Sequence, residues 1–178
     1  MRSALITATF VLVSSFTLTA EAQTSQTLTV PIAASVETLF TLSCAPSAVT
    51  LAGNPGQTVV SPPIQCTVQS NWAQDTWKLT ISVDRELTEV SNPSLKIPNS
   101  RFFHRSSCAQ NCTPGNILAS SNTAFTTTPV KYYESAASEK QNLNKPTVVS
   151  TIFELRIPPG QEAGTYMNAV IYTLTVSM

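Results

Sequence analysis

The chain has few of the residues that enzymes use for acid–base chemistry. It contains one histidine, His104, and only 11 % of its 178 residues are charged. Its two aspartates, Asp75 and Asp84, share no motif with the histidine or with a serine, so a Ser-His-Asp triad has no visible basis. His104 lies in an Arg-Phe-Phe-His-Arg segment, and we expect a strand or loop residue that faces solvent, not a catalytic base. The sequence therefore predicts a protein that is not an enzyme.

Motifs for metals, nucleophiles and cofactors are missing as well. The sequence has no HExxH, no GxSxG and no acidic calcium loop, so we predict no metal site and no cofactor. A pair of glycosidase carboxylates stays open as an alternative because its members need not be close in sequence, although surface solvation accounts better for the glutamates. The 10 basic and 10 acidic residues balance, so the chain carries no charge excess for nucleic acid or an anionic membrane.

The first 22 residues have the three parts of a secretory signal peptide. Arg2 forms a minimal charged region, an apolar run follows from Ala4 to Val13, and Ala20-Glu21-Ala22 is a small-x-small cleavage site. An uncleaved anchor is the competing interpretation, but a run of about ten residues is short of the roughly 20 that span a bilayer. We predict cleavage before Gln23, which leaves 178 − 22 = 156 residues as one domain, residues 23–178. The protein would then be secreted, periplasmic or at the cell surface, with no membrane span in the mature chain.

All four cysteines lie in the predicted mature chain. An even number in an exported protein predicts disulfides, and four cysteines allow three pairings. The short hydrophilic loop between Cys108 and Cys112 makes a local bridge easy and leaves Cys44 to pair with Cys66. A structural zinc site is the weaker alternative, because the C-x3-C has no second closely spaced Cys/His pair.

Hydrophobic periodicity is two wherever it is clear, as in β-strands. The clearest internal strand is Trp77–Val83, and residues 58–68 form another that is broken at Pro62-Pro63. Further predicted strands lie at about 26–34, 36–43, 48–52 and 149–157, with weaker signals between 88 and 144 and a long terminal strand at 165–178. About seven to nine strands without a convincing amphipathic helix predict an all-β protein, an immunoglobulin-like antiparallel β-sandwich. A jelly roll or a small barrel is the alternative.

Several segments resemble those of exported bacterial β-sandwich surface proteins. Besides the signal peptide these are Ser70–Trp72 and Trp77–Leu79, together with Pro158–Gly160, Ala163–Tyr166 and Tyr172–Val176 near the end. The closing pattern is also similar to that of archaic, spore-coat-U-type pilins. This resemblance implies a fimbrial subunit assembled by strand donation, with a chaperone that holds the unassembled form.

We therefore expect a non-catalytic exported structural or adhesive surface protein, with a carbohydrate- or protein-binding module as the alternative. Its partners would be other surface or pilus subunits, or glycans. Trp72 lies in polar surroundings and is the best candidate for an exposed binding contact.

The beginning of the mature chain has two structural alternatives. Leu28, Val30 and Ile32 alternate with less apolar residues, so this segment either completes the protein's own sheet or adds to an open edge of a neighbour. We expect self-completion, since it buries the apolar face without an assembly machine.

Overall fold

The computed structural model describes residues 30–176. The chain divides into two units, Met1–Ser35 and Val36–Met178. In the first unit the described residues, 30–35, form no regular secondary structure, and the predicted signal peptide lies outside the described residues. The second unit is nearly all strand and turn.

Twelve strands and three short 3-10 helices occur within residues 30–176. The strands are β1 (Phe40–Ala45), β2 (Thr58–Val60), β3 (Ile64–Ser70), β4 (Trp77–Val83), β5 (Leu87–Glu89), β6 (Lys96–Ile97), β7 (Phe102–Gln110), β8 (Thr123–Ala124), β9 (Val130–Glu134), β10 (Thr147–Arg156), β11 (Tyr166–Met167) and β12 (Val170–Val176). The 3-10 helices span Asn99–Arg101, Pro114–Asn116 and Ala137–Glu139. No helix among the described residues is long and apolar enough to cross a membrane.

The strands form two main sheets and a small one. The first sheet has the order β1-β3-β10-β7-β8, with β2 also paired to β10. The second has the order β12-β4-β9, and β11-β5-β6 make the small sheet. Every strand pair is antiparallel. This architecture confirms the predicted fold class, an all-β antiparallel sandwich of immunoglobulin-like type.

The core lies between the two main sheets. Alternate residues of β3, β4 and β10 point inward and are buried, because successive side chains of a strand face opposite sides of its sheet. Trp77 of β4 packs against Tyr133 of β9, and Phe102 of β7 stacks on Phe125 with 4.5 Å between ring centroids. One continuous apolar cluster therefore joins the sheets.

Several predicted strands are confirmed where turn chemistry marks their ends. Trp77–Val83 is β4, and Pro62-Pro63 separates β2 from β3. The single terminal strand predicted at 165–178 is wrong, because β11 pairs with β5 whereas β12 pairs with β4. The change of sheet occurs at Ala169, which exchanges two hydrogen bonds with Asp84.

Three predictions near the beginning of the chain need correction. Residues 48–52 form no strand, although Val49 and Leu51 pack against the core. The second predicted strand begins at Phe40 instead of residue 36. The strand predicted at 26–34 does not form over residues 30–34, and residues 26–29 lie outside the described part. Alternation favours the extended state, but a strand also needs a partner for its backbone groups.

Candidate functional site: the open side of the sandwich

The two sheets are bridged on one side. There, residues 117–126 cross from the first sheet to the second. Ser106 of β7 donates its backbone N–H to the carbonyl of Ala119 (2.7 Å), and the N–H of Leu118 donates to the carbonyl of Tyr132 in β9 (2.9 Å). Ala119 and Phe125 are buried in this crossing. The segment thus seals the core between β7 and β9.

The opposite side is bounded by β1 and β12, each the outermost strand of its sheet. Within residues 30–176, β1 pairs only with β3 and β12 pairs only with β4. An outermost strand presents a row of N–H and C=O groups that a further strand can bond. We call the gap between β1 and β12 the open side.

The inward faces of these two strands are apolar but only half-buried. The half-buried side chains are Phe40, Leu42 and Cys44 of β1, and Val170, Tyr172, Leu174 and Val176 of β12. By contrast, Trp77, Leu79, Ile81 and Val83 on the inward face of β4 are buried. The same alternation is thus buried in the middle strand of the second sheet and only half-buried in the two outermost strands that the structure describes.

A cleft of about 1040 Å³ lies at this side. Core residues such as Ile64, Phe102 and Phe153 line it, and Cys44 of β1 and Tyr172 of β12 line it as well. The segments 46–55 and 161–169 also contribute to its lining. The cleft therefore reaches the core at one end of the open side, next to Cys44 of β1 and Val170 of β12.

The cleft is nearly free of charge. Among the described residues that line it, Glu162 is the only Asp, Glu, Lys, Arg or His. Burial raises the pKa of the Tyr172 hydroxyl above its ordinary value, so this group stays neutral at physiological pH. Such a lining favours an apolar occupant and offers no acid–base chemistry.

Both predicted disulfides are present. Cys44 and Cys66 face each other across β1 and β3 and are bonded, and Cys108 is bonded to Cys112. The Cys44–Cys66 bridge ties β1 to the first sheet at the edge of the cleft. The bridge therefore holds β1 to β3 at this border of the cleft.

A second, polar cavity of about 670 Å³ lies next to the Cys108–Cys112 loop. Its most polar group, the buried Glu139 carboxylate, accepts hydrogen bonds from Tyr133 Oη (2.6 Å), the Thr113 backbone N–H (2.6 Å) and the Ala136 backbone N–H (2.8 Å). Burial and the hydrogen bond to Glu139 raise the pKa of Tyr133. Since these bonds anchor residues 136–139 to the sheet, the carboxylate has a structural role.

Trp72 lies outside the lining of both cavities. It is half-buried, its backbone N–H donates to Ser70 Oγ (3.0 Å), and its indole Nε1 donates to Asp75 Oδ2 at 3.4 Å. Among the described residues, neither cavity is lined by Trp72. Its proposed binding role remains a prediction.

His104 is a strand residue as expected, but it does not face solvent. It lies on the inward face of β7, is 1 % exposed and packs beside Phe125 with 4.8 Å between ring centroids. The exposed neighbour Arg105 suggests a surface, yet alternation along β7 turns His104 inward. Burial lowers its pKa to about 4.

Within residues 30–176, no group of three or more His, Cys, Asp and Glu side chains could hold a metal ion. No known family model matches the chain, and comparison with curated proteins finds no significant relative.

The open side was not predicted from the sequence because it depends on which strands lie outermost in the two sheets. The one signal that pointed to it was the apolar alternation before β1, in Leu28, Val30 and Ile32.

Proposed function

We propose that the protein is an exported, non-catalytic structural subunit that assembles by accepting a β-strand from a second copy of itself into the open side. The observation that carries this proposal is the pair of outermost strands, β1 and β12, whose apolar inner faces are half-buried and whose Cys44 and Val170 ends line a nearly uncharged cleft.

An extended strand is the ligand that such a site fits best. Its backbone groups would bond the free edges of β1 and β12, and its alternate side chains would enter the cleft, as in β-augmentation. β12 has 7 residues, so a strand of similar length, roughly 23 Å at about 3.3 Å per residue, would cover it.

The same chain carries a segment of matching character. We call residues 23–36 the N-terminal arm. In its described part Ile32 is 90 % exposed and Val30 is 68 % exposed, and no strand forms. Burial of one such side chain contributes about 1.5–3 kcal/mol, so the arm and the open side each gain from a partner. No strand forms over residues 30–34, the described part of the predicted first strand, and this supports donation to a neighbour.

Other properties agree with this role. The predicted signal peptide would direct the protein out of the cytoplasm, to a compartment where disulfides such as Cys44–Cys66 persist. The resemblance of the closing segments to archaic pilins implies the same mode of assembly. The partners would accordingly be further copies or related surface subunits.

The assembly state of the mature chain, residues 23–178, in solution tests the proposal. We expect light scattering and negative-stain electron microscopy to show polymers that grow with concentration. Ile32→Asp should abolish them, because a carboxylate at an arm position would be buried in the cleft. Thr173→Asp, on the exposed outer face of β12, is the matched control and should polymerise normally.

Two outcomes would contradict the proposal. One is a mature chain that stays monomeric and does not bind an added peptide of residues 23–36. The other is a polymer that Ile32→Asp leaves unchanged, since its contacts would then lie elsewhere.

A further inference from the structure

The Cys108–Cys112 bridge closes a tight turn at the end of β7. Within this turn Asn111 has a φ of 51°, in the left-handed region that few residues other than glycine adopt. Asn111 and Thr113, the neighbours of Cys112 on either side, both bond to the segment that joins β9 to β10. We call this segment, residues 135–146, the strap.

The turn holds the strap at two places. The Asn111 side-chain Nδ2 donates to the Pro146 carbonyl (3.0 Å). Thr113 donates from its backbone N–H (2.6 Å) and from its Oγ1 (2.8 Å) to Glu139 Oε1. Between these places the strap is held by β3, since the Asn142 backbone N–H donates to a carbonyl at the end of that strand (2.9 Å). The turn therefore fastens the strap on both sides of Asn142.

The contact with Glu139 also reaches the core. Of the four hydrogen bonds that its buried carboxylate accepts from described residues, Thr113 donates two, and Tyr133 and Ala136 donate the others. The Glu139 carbonyl accepts from Nε1 of Trp77 (3.1 Å), a core residue of β4. Because a buried carboxylate that loses donors destabilises its surroundings, this part of the strap depends on the position of Thr113.

The polar cavity gives a small thiol access to the bridge. Cys112 lines this cavity, and residues 109–111 of the turn are exposed. The other bridge differs, because Cys66 is 0 % exposed and lies opposite Cys44 in the pairing of β1 with β3. When a thiol breaks that bond, the paired strands keep the two sulfurs together and the bond re-forms. Exposed disulfides are the ones that exchange readily.

We propose that Cys108–Cys112 is a thiol-exchange site that takes a small thiol such as glutathione, and that its reduction releases the strap next to Glu139. The attacking thiolate bonds to Cys112 Sγ and breaks the bond between the two cysteine sulfurs. Cys108 then leaves as a thiolate and takes a proton from water. A second thiol displaces the first from Cys112, so two thiols are oxidised to one disulfide and the bridge is reduced to two cysteine thiols.

Reduction of the mature chain by glutathione tests where exchange occurs. Alkylation followed by peptide mass spectrometry reports which cysteines have become free. We expect Cys108 and Cys112 to be reduced about tenfold faster than the other pair, with the trapped glutathione adduct on Cys112. Equal rates for the two bridges, or an adduct on Cys108 alone, would overturn the assignment.

Hydrogen exchange measured by NMR tests the release of the strap. The backbone N–H groups of Thr113 and Ala136 both donate to Glu139, so in the Cys108→Ser and Cys112→Ser double variant they should exchange about tenfold faster than in the parent chain. The N–H of Asn142, held by β3, is the internal control and should exchange as before. The matched variant, Cys44→Ser with Cys66→Ser, should leave the exchange of Thr113 and Ala136 unchanged.

The parent chain reduced by glutathione should show the same pattern as the Cys108→Ser and Cys112→Ser variant, and it replaces that variant if the variant does not fold. Unchanged exchange at Thr113 and Ala136 in the reduced chain would contradict release of the strap. An equal acceleration at Asn142 would contradict it as well, since the opening would then not be confined to the part of the strap next to Glu139.

Discussion

At the scale of single residues, His104 couples stability to pH. It is buried beside Phe125, and its Nδ1 atom has no hydrogen-bond partner among the described residues. A charge at this position would be unsolvated, so burial lowers its pKa to about 4. His104 therefore packs stably in the core only in its neutral form.

The sign of the pH dependence follows from this lowered pKa. Below the ordinary value of about 6.5 the unfolded chain binds a proton that the folded chain does not. The free energy of unfolding should therefore fall by up to about 3 kcal/mol between pH 6.5 and pH 4. The His104→Leu variant should not show this fall. Urea denaturation at each pH measures the free energy of unfolding of both proteins. Because the chain has no other histidine, equal pH profiles of the two proteins across this interval would refute the assignment.

At the scale of elements, the Cys44–Cys66 bridge fastens the outermost strand β1 to β3. The bridge spans 22 residues of sequence, whereas Cys108–Cys112 spans 4. Closing a longer loop removes more freedom from the unfolded chain. The first bridge therefore secures one border of the open side against fraying.

Removing the two bridges should have unequal effects. Replacing Cys44 and Cys66 by alanine should lower the free energy of unfolding by about 3 kcal/mol, and replacing Cys108 and Cys112 by about 2 kcal/mol. Urea denaturation of both double variants measures the difference. A larger loss for the Cys108 and Cys112 variant would contradict this account.

Local sequence signals predicted the elements that depend on local chemistry. β4 follows from alternation, the break between β2 and β3 from Pro62-Pro63, and the Cys108–Cys112 bridge from a short loop. Elements that depend on distant partners were not predictable. The division of the terminal segment into β11 and β12 is set by their separate partners, β5 and β4.

The candidate site was less predictable than the fold. Sequence pattern identified the apolar alternation of Leu28, Val30 and Ile32 and a strand near the end of the chain. It could not show that β1 and β12 would both be outermost, because strand order arises from pairings far apart in the chain. That order is what leaves the core open on one side.

At the scale of the whole molecule, the two sides of the sandwich differ. The side at β8 and β9 is sealed by residues 117–126, and the side at β1 and β12 is not sealed by any described segment. Each chain would offer an arm at one place and a cleft at another. A contact of this head-to-tail kind repeats from copy to copy and generates a linear polymer wherever its rotation does not close a ring.

Mixing two complementary variants tests this central claim most directly. Ile32→Asp should have an intact cleft and a disabled arm, whereas Val170→Asp should have an intact arm and a cleft disabled at a lining residue. We expect each variant alone to be a folded monomer by light scattering and thermal melting. An equimolar mixture should form a one-to-one dimer, with the arm of Val170→Asp in the cleft of Ile32→Asp. A mixture that stays monomeric, or a single variant that still polymerises, would contradict assembly by strand donation.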